Sequence, residues 1–80
     1  MSESTLADIS YPVRSRLHLL EFLVEEYGYM NRSALIKYFG ISTPQASSDI
    51  KLYLKHRPNN LTYDKSKKAY IKTNNFTKLF

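Results

Sequence analysis

The sequence predicts a small α+β domain, mainly α-helical, made of three helices plus a two- to three-stranded β-hairpin unit. Three observations predict it: an amphipathic stretch before residue 28, two helical stretches joined by a tight turn between Arg32 and Arg57, and two short alternating segments after residue 60. Eighty residues are enough for one domain, near the lower size limit of a self-sufficient core. We therefore expect a single domain over 11–80, after a flexible tail over 1–10.

The first predicted helix begins near Pro12, a residue suited to a first helical turn, and ends at Gly28. Its buried side is predicted to carry apolar residues at helical intervals, namely Val13, Leu17, Leu20, Val24 and Tyr27. Its opposite side is predicted to be a polar stripe of Arg14, His18, Glu21 and Glu25. Tyr29 and Met30 are then expected to form one short strand, and Asn31 to cap the next helix.

The second and third helices are predicted to cross steeply. The second ends at Gly40, because glycine tolerates the left-handed conformation that follows a helix end. Ser42 and Gln45 form a capping box, whose side chains would satisfy two unpaired backbone amides of the third helix. Because the second helix ends so close to the start of the third, the two helices cannot run antiparallel to each other. This spacing indicates helix-turn-helix geometry. The third helix is expected to bury Ala46, Ile50, Tyr53 and Leu54.

The last predicted element is a hairpin. Strands over 61–63 and 69–71 flank the polar loop 64–68. An isolated hairpin is marginally stable in water, so this one must pack on the helices. The order of helix, short strand, two helices and hairpin is that of a winged helix-turn-helix.

Composition narrows the function. Twelve basic and seven acidic residues give a net charge of +5 and favour a polyanionic partner. The absence of cysteine excludes disulfides and thiolate metal sites and fits a reducing cytoplasm. The amino end is acidic and polar, unlike a signal peptide, and no apolar run approaches the about 20 residues of a membrane span. We expect a cytoplasmic protein without a membrane partner.

Several motifs together resemble a known family. They are RxRLxxxE at 14–21, MNRSAL, FGISxPQASxD, PNNLxYDxSxKxY and a final FxxxF. They are similar to the N-terminal DeoR-like winged helix-turn-helix domain of the BrxR/CapW regulators, which are WYL-domain transcription factors associated with phage-defence islands. The resemblance covers about 11–80 and implies a DNA-binding domain in a bacterial cell or phage-infected host. The family's WYL and C-terminal dimerisation domains have no counterpart in the 80 residues, so ligand sensing and the mode of dimerisation are not carried over.

The outward face of the third helix is the predicted recognition surface. Its side chains are mostly short and polar, which lets a helix lie deep in the major groove and reach base edges. A solvated helix face is the alternative, but the position after a helix-turn-helix turn in a basic chain favours double-stranded DNA. The candidate residues are Thr43, Pro44, Gln45, Ser47, Ser48, Lys51 and Lys55.

Phosphate contacts are predicted beside this face. Arg32 and Ser33 open the second helix, whose amino end can bind a phosphate oxygen, although an ion pair of Arg32 with an acidic neighbour is the alternative. Asp49 would be repelled by DNA and is therefore predicted to accept hydrogen bonds from within the protein. The hairpin tip is predicted to contact phosphates or the minor groove through Lys65, Lys67 and Lys68.

The sequence predicts no enzyme. His18 and His56 lack a helical metal-ligand partner and are expected at the surface, the two glycines lie at helix ends, and no nucleophile motif occurs. No metal, cofactor or small-molecule ligand is predicted. The predicted function is a sequence-specific DNA-binding transcriptional regulator, expected to act as a repressor. The alternatives are a protein-interaction module and an architectural or excision factor of a mobile element.

A homodimer on an inverted repeat is expected, because one module of this size buries too little surface for tight discrimination. The candidate interface is formed by apolar residues that the predicted core leaves uncovered. A monomer in which Leu6, Ile9 and Tyr11 cover the first helix is the alternative. The interface candidates are Leu19, Phe22, Phe76, Leu79 and Phe80.

Overall fold

The computed structural model of the chain describes residues 8–80. Three helices and three strands follow one another in the order α1, β1, α2, α3, β2 and β3, which confirms the predicted winged-helix α+β fold. Of the predicted tail over 1–10, residues 1–7 lie outside the described part. The bounds of the elements are α1 Tyr11–Tyr27, β1 Tyr29–Met30, α2 Arg32–Phe39, α3 Thr43–His56, β2 Leu61–Asp64 and β3 Ala69–Lys72.

The three strands form one antiparallel sheet in the order β1, β3, β2. Tyr29 pairs with Ile71 in one ladder, and Thr62 pairs with the same residue in the other. The central position of β3 lets the two-residue strand β1 take part in a sheet, since the hairpin supplies a preformed edge. The hairpin, here called the wing, is thereby joined to the helical body through the segment between α1 and α2.

The helix ends have local causes that the sequence carries. Gly28 and Gly40 follow α1 and α2 with φ angles of 83° and 67°, in the left-handed region where a Cβ is disfavoured. At the start of α2 the Asn31 side chain accepts from the Ala34 amide, and at the start of α3 the Ser42 hydroxyl accepts from the Gln45 amide at 3.2 Å. Only this half of the predicted capping box forms, because the Gln45 side chain turns to Asp49 instead.

The core lies where α1, α2 and α3 meet the sheet. Its apolar members include Leu17, Leu20, Val24, Met30, Leu35, Ala46, Ile50 and Tyr53. Three sequence-based expectations are wrong here. Glu21 is buried instead of lying on a polar stripe. Tyr27, the last residue of α1, is exposed instead of buried. His56 is half-buried, and its Nε2 atom is buried without a hydrogen-bond partner among residues 8–80.

The carboxyl-terminal segment after β3 is tied back onto the helices. The backbone amides of Leu79 and Phe80 donate to the Glu21 carboxylate at 2.6 and 3.0 Å. The Thr77 amide donates to Asn60 Oδ1 at 2.9 Å, and Arg57 donates to the Lys78 carbonyl. These bonds bring the apolar end of the chain against α1 without any further helix or strand in the described residues.

Candidate nucleic-acid interface

The exposed side of α3 carries the residues predicted to face DNA. Ser47 is half-buried, and the others are exposed: Thr43, Pro44, Gln45, Ser48, Lys51 and Lys55. The opposite side is buried through Ala46, Ile50 and Tyr53, which fixes the rotation of the helix about its own axis. The helix therefore presents one continuous strip of short polar side chains, with two lysines toward its carboxyl end.

A buried ion pair holds the first half of α3 against α1. Asp49 is almost fully buried and accepts from Arg16 Nε at 2.5 Å and from Arg16 Nη2 at 3.2 Å. Its Oδ1 also accepts from Gln45 Nε2 at 3.0 Å. The prediction that Asp49 accepts hydrogen bonds within the protein is confirmed. Because charged hydrogen bonds are directional, the pair sets the tilt of α3 as well as its distance from α1.

A second polar contact holds the other half of α3. The buried Tyr53 hydroxyl donates to Glu21 Oε2 at 2.7 Å and accepts from Asn60 Nδ2 at 2.8 Å. Burial, followed by the hydrogen bond to the Glu21 carboxylate, raises the pKa of the Tyr53 hydroxyl well above its usual range. The hydroxyl is therefore protonated throughout the physiological range and acts as a constant donor. Glu21 thus joins α3, α1 and the carboxyl-terminal segment.

The amino end of α2 reaches the recognition face. Arg32 Nη1 donates to the Ser47 hydroxyl at 2.9 Å, so these two predicted DNA-contacting residues lie together. No acidic partner of Arg32 occurs within residues 8–80, which corrects the alternative of an ion pair. The neighbouring Ser33 hydroxyl is exposed but donates to the Asn31 side chain at 2.6 Å. The other N–H donors of the Arg32 guanidinium lie beside α3 as well.

The wing carries the other predicted cationic group. The side chains of Lys65, Lys67 and Lys68 are exposed, and none forms an ion pair in the described part of the chain. The turn is tightened by a bond from the Lys67 amide to Asp64 Oδ1 at 3.0 Å, and Lys68 has a positive φ of 52°. The positive φ ends the turn and lets the chain enter β3. Three positive charges are therefore held on a short, closed hairpin tip.

The predicted interface residues divide between two places. An open groove of about 850 Å³, here called the α1 groove, is lined by α1, the end of α2 and the end of the chain, and contains Leu19, Phe22, Leu79 and Phe80. Phe76 does not line it and instead lies under Lys72, with the ammonium 5.0 Å from the ring centroid. In the alternative arrangement, Ile9 and Tyr11 would cover these residues of α1. Tyr11 is instead 81% exposed at the rim of the groove, and Phe22 remains half exposed. Ile9 lies beside Val13 at another cavity. Leu6 lies outside the described residues.

The fold and the candidate DNA-binding surface together define the structural class of this domain. Three helices, a helix-turn-helix with an exposed polar second helix, and a cationic β-hairpin are the parts of a winged helix-turn-helix domain. A family model described as the BrxR transcriptional regulator winged helix-turn-helix domain matches residues 12–80. The chain belongs to this family, and the resemblance seen in its motifs is confirmed. This is a family of transcriptional regulator domains and not a class of enzymes.

Relatives with curated names are similar to this chain over most of its length. A DNA-binding transcriptional repressor CapW of Escherichia coli is 42% identical over 65 residues, which cover 81% of this chain. The CapW repressor of Pseudomonas aeruginosa has the same identity, and that of Stenotrophomonas maltophilia is 34% identical over 76 residues. The chain spans between 22% and 25% of the length of these relatives.

Some residues that shape the site were not predicted from the sequence. Arg16, Glu21, Tyr53 and Asn60 hold α3 in place without touching its exposed face. Their signals in the sequence were the motif RxRLxxxE, which contains Arg16 and Glu21, the motif PNNLxYDxSxKxY, which contains Asn60, and the predicted burial of Tyr53. None of these signals identifies which residues meet. Within residues 8–80 there is no cluster of three or more potential metal ligands. In the same range no helix has the length and apolar character needed to cross a membrane.

Proposed function

We propose that this domain is a sequence-specific double-stranded DNA-binding module of a transcriptional regulator, and that it acts in repression. The observation that carries the proposal is the exposed polar strip of α3, rigidly held by two polar contacts to α1. Rigid placement matters because base readout requires side chains within hydrogen-bond distance of base edges. The names of the CapW relatives, which describe DNA-binding repressors, support the same function.

In the proposed complex α3 lies in the major groove. Ser47, Ser48 and Gln45 are short enough to reach base edges, and the Thr43 methyl group can contact thymine methyls. Lys51 and Lys55 lie farther along the exposed face, where the helix leaves the groove and meets the phosphate backbone. The wing lysines neutralise phosphates beside the groove or enter the minor groove.

Arg32 is proposed to bind a phosphate while keeping its bond to Ser47. A guanidinium has five N–H donors, and only one of them is engaged by the Ser47 hydroxyl. The same contact orients the Ser47 hydroxyl on the recognition face. One arginine thus links a backbone contact to a base contact, which fixes the register of α3 along the duplex.

The functional unit is proposed to be a homodimer on an inverted repeat, in the cytoplasm of a bacterial cell or a phage-infected host. Single modules of this size bury about 600–1,000 Å² on DNA, and two copies are needed for tight discrimination against bulk sequence. No catalytic step, cofactor or metal forms part of the proposal.

The test is selection of bound sequences from a random DNA pool, followed by binding measurements on the preferred site. Replacing Ser47 and Lys51 together with alanine should weaken binding to that site by about 1–3 kcal/mol without changing the fold. The matched control is S10A with K37A, which also removes one hydroxyl and one ammonium group. Ser10 makes no capping bond with its side chain, and Lys37 lies on the exposed side of α2.

Equal binding by the S47A/K51A variant and the parent would contradict the assignment of the recognition face. A pool from which no sequence is enriched would contradict sequence-specific binding altogether.

A further inference from the structure

We propose that residues 77–80, here called the carboxyl-terminal strap, control how tightly α3 binds DNA, although none of their hydrogen bonds reaches its exposed face. The docked strap holds α3 in its recognition position through Glu21 and Asn60. Displacement of the strap loosens α3 and weakens DNA binding. The inference rests on the proposed function, because it concerns the regulation of the same recognition helix.

The buried carboxylate of Glu21 is shared between the strap and α3. Its Oε2 atom accepts from the Leu79 amide at 2.6 Å and from the Tyr53 hydroxyl at 2.7 Å, and its Oε1 atom accepts from the Phe80 amide at 3.0 Å. The strap thus supplies two of the three donors that the described residues give this carboxylate. A buried carboxylate that loses most of its donors is costly. Displacing the strap therefore favours rotation of Glu21 toward water, which breaks its bond to Tyr53.

The buried side chain of Asn60 is shared in the same way. Its Nδ2 atom donates to the Tyr53 hydroxyl and to the Thr77 carbonyl, each at 2.8 Å, and its Oδ1 atom accepts from the Thr77 amide at 2.9 Å. Both N–H donors and the carbonyl oxygen of the side-chain amide are therefore engaged. Two of these three bonds go to the strap. Thr77 thus sets the orientation in which Asn60 donates to Tyr53.

Both shared side chains meet at the Tyr53 hydroxyl, on the buried side of α3. A third contact joins the strap to the end of the helix, because Arg57, which directly follows α3, donates to the Lys78 carbonyl through Nε at 3.3 Å and Nη2 at 3.2 Å. All three connections act on the second half of α3, whereas the ion pair of Asp49 holds the first half. Displacement of the strap should therefore release one half of the helix and change its tilt, without detaching it.

The strap can leave its position while the rest of the domain stays folded. It belongs to no helix or strand, and within residues 8–80 no buried core residue lies in it. Leu79 and Phe80 are half-buried, and Thr77 and Lys78 are exposed. A segment of this kind opens at a lower free energy than the core. Its docking is therefore a local equilibrium that sets the position of α3, and not a condition for folding.

The experiment compares two substitutions at Leu79 in binding to the selected DNA site. Leu79→Pro removes the amide that donates to Glu21, whereas Leu79→Ala keeps that amide and removes most of the apolar side chain. We expect L79P to weaken binding by about tenfold, which corresponds to the loss of one hydrogen bond to a charged group, and L79A by less than about twofold. Thr77→Pro and Thr77→Ala form the same kind of pair for the amide that donates to Asn60, and only T77P should weaken binding.

Tyr53→Phe tests whether the effect passes through the proposed contacts. It removes the hydroxyl at which both shared side chains meet, so L79P should weaken binding much less in the Y53F background than in the parent. Independent effects of the two changes would instead add. In the DNA-free L79P variant, hydrogen exchange should be faster in the second half of α3 and unchanged in its first half. Far-UV circular dichroism checks that each variant is folded.

Three results would overturn the inference: a folded L79P variant that binds like the parent, an L79A variant that binds as weakly as L79P, or a loss that is equally large in the Y53F background. Should L79P fail to fold, T77P carries the same comparison through Asn60. The exchange measurement contains no DNA. Faster exchange in α3 of a protein whose parent selects no DNA sequence would therefore contradict the proposed function and leave the connection between the strap and α3 standing. Sequence-specific binding that the parent, L79P and T77P share equally would do the reverse.

Discussion

At the residue scale, two buried carboxylates decide how the recognition helix is held. Asp49 on α3 pairs with Arg16 on α1, and Glu21 on α1 accepts from Tyr53 on α3. Burial of a charge is costly unless other groups compensate for the lost water. Asp49 is compensated by its ion pair with Arg16, and Glu21 by hydrogen bonds from the Tyr53 hydroxyl and from two backbone amides of the carboxyl-terminal segment. The two contacts lie on successive turns of α3, so they restrain its tilt where hydrophobic packing alone would permit small rotations.

Removing the Asp49 carboxylate should destabilise the domain. Asp49→Ala leaves the largely buried Arg16 guanidinium without its partner, and breaking such a pair costs about 3 kcal/mol. Urea denaturation of the variant and the parent measures the difference in the free energy of unfolding. Ser48→Ala, an exposed change at the adjacent position, is the control and should stay within about 0.5 kcal/mol of the parent. Equal stabilities of the two variants would mean that the ion pair contributes little.

Tyr53 should make the stability fall in alkaline solution. Its pKa is raised by burial and by the Glu21 hydrogen bond, while an unfolded tyrosine titrates near pH ~10. The folded state therefore holds this proton to higher pH than the unfolded state does. Its contribution is complete below pH ~10 and is lost as the pH rises above that value.

Urea midpoints measured between about pH 8 and pH 11 should fall more steeply for the parent than for Tyr53→Phe. Tyr63→Phe, which alters a tyrosine on the exposed side of the wing, should follow the parent. The same pH dependence in the parent and in Tyr53→Phe would show that another group is responsible.

At the element scale, the angle between α2 and α3 depends on the backbone of one turn. Gly40 adopts a φ of 67°, and its amide donates to the Ile36 carbonyl at 2.8 Å, which ends α2 and redirects the chain. Ser42, which caps the start of α3, follows after a single intervening residue, Ile41. The crossing of the helices is thus set by left-handed backbone at one position and a cap at another.

Gly40→Ala should lower the free energy of unfolding by about 1–2 kcal/mol, since a Cβ is disfavoured in the left-handed region. No atom lies within 4 Å of the position that a Cβ would occupy, so the change measures backbone conformation and not a clash. Gly40→Asn should cost less, because asparagine tolerates this region better. A larger loss of stability with asparagine than with alanine, measured by thermal or urea unfolding, would contradict this account of the turn.

The wing should contribute to affinity and not to specificity. Replacing Lys65, Lys67 and Lys68 with alanine should weaken binding to all DNA sequences alike and reduce the salt slope of log K by about one unit per lost phosphate contact. The measurement is binding to the selected site and to an unrelated duplex at several salt concentrations. K37A is the control and should keep the parental slope. An unchanged slope in the triple variant would place the wing away from the DNA backbone.

At the scale of the whole molecule, two-fold symmetry should appear in the DNA as well as in the protein. Half-sites in the selected sequences should repeat at about 34–36 Å, or a multiple of that distance, along the duplex. Sedimentation of the complex should give two chains per inverted repeat. A one-to-one complex on a single half-site would contradict the dimeric unit while leaving DNA binding by α3 intact.

The order and bounds of the elements could be predicted because their causes are local. Gly28, Gly40, Asn31 and Ser42 each act within a few residues along the chain, so their effects can be read without knowing the fold. The exposed side of α3 followed from the spacing of its buried residues. Asp49 was predicted to be structural because its carboxylate would be repelled by the phosphates of DNA.

Tertiary structure alone decided which residues meet across the fold. Arg16 and Asp49 are 33 positions apart, and Glu21 is 58 positions from the Leu79 amide that donates to it. Helical periodicity carries no information about contacts between residues so far apart in the chain. Glu21 was therefore predicted to lie on a polar face. The position of Phe76 under Lys72 could not be predicted for the same reason, and Phe76 was grouped with Phe22. The sequence determined the elements, their ends and the recognition strip, because helix caps and periodicity act over one or two turns. Only packing decided the burial of Glu21, the orientation of α3 and the shape of the α1 groove, because these depend on which distant side chains come into contact.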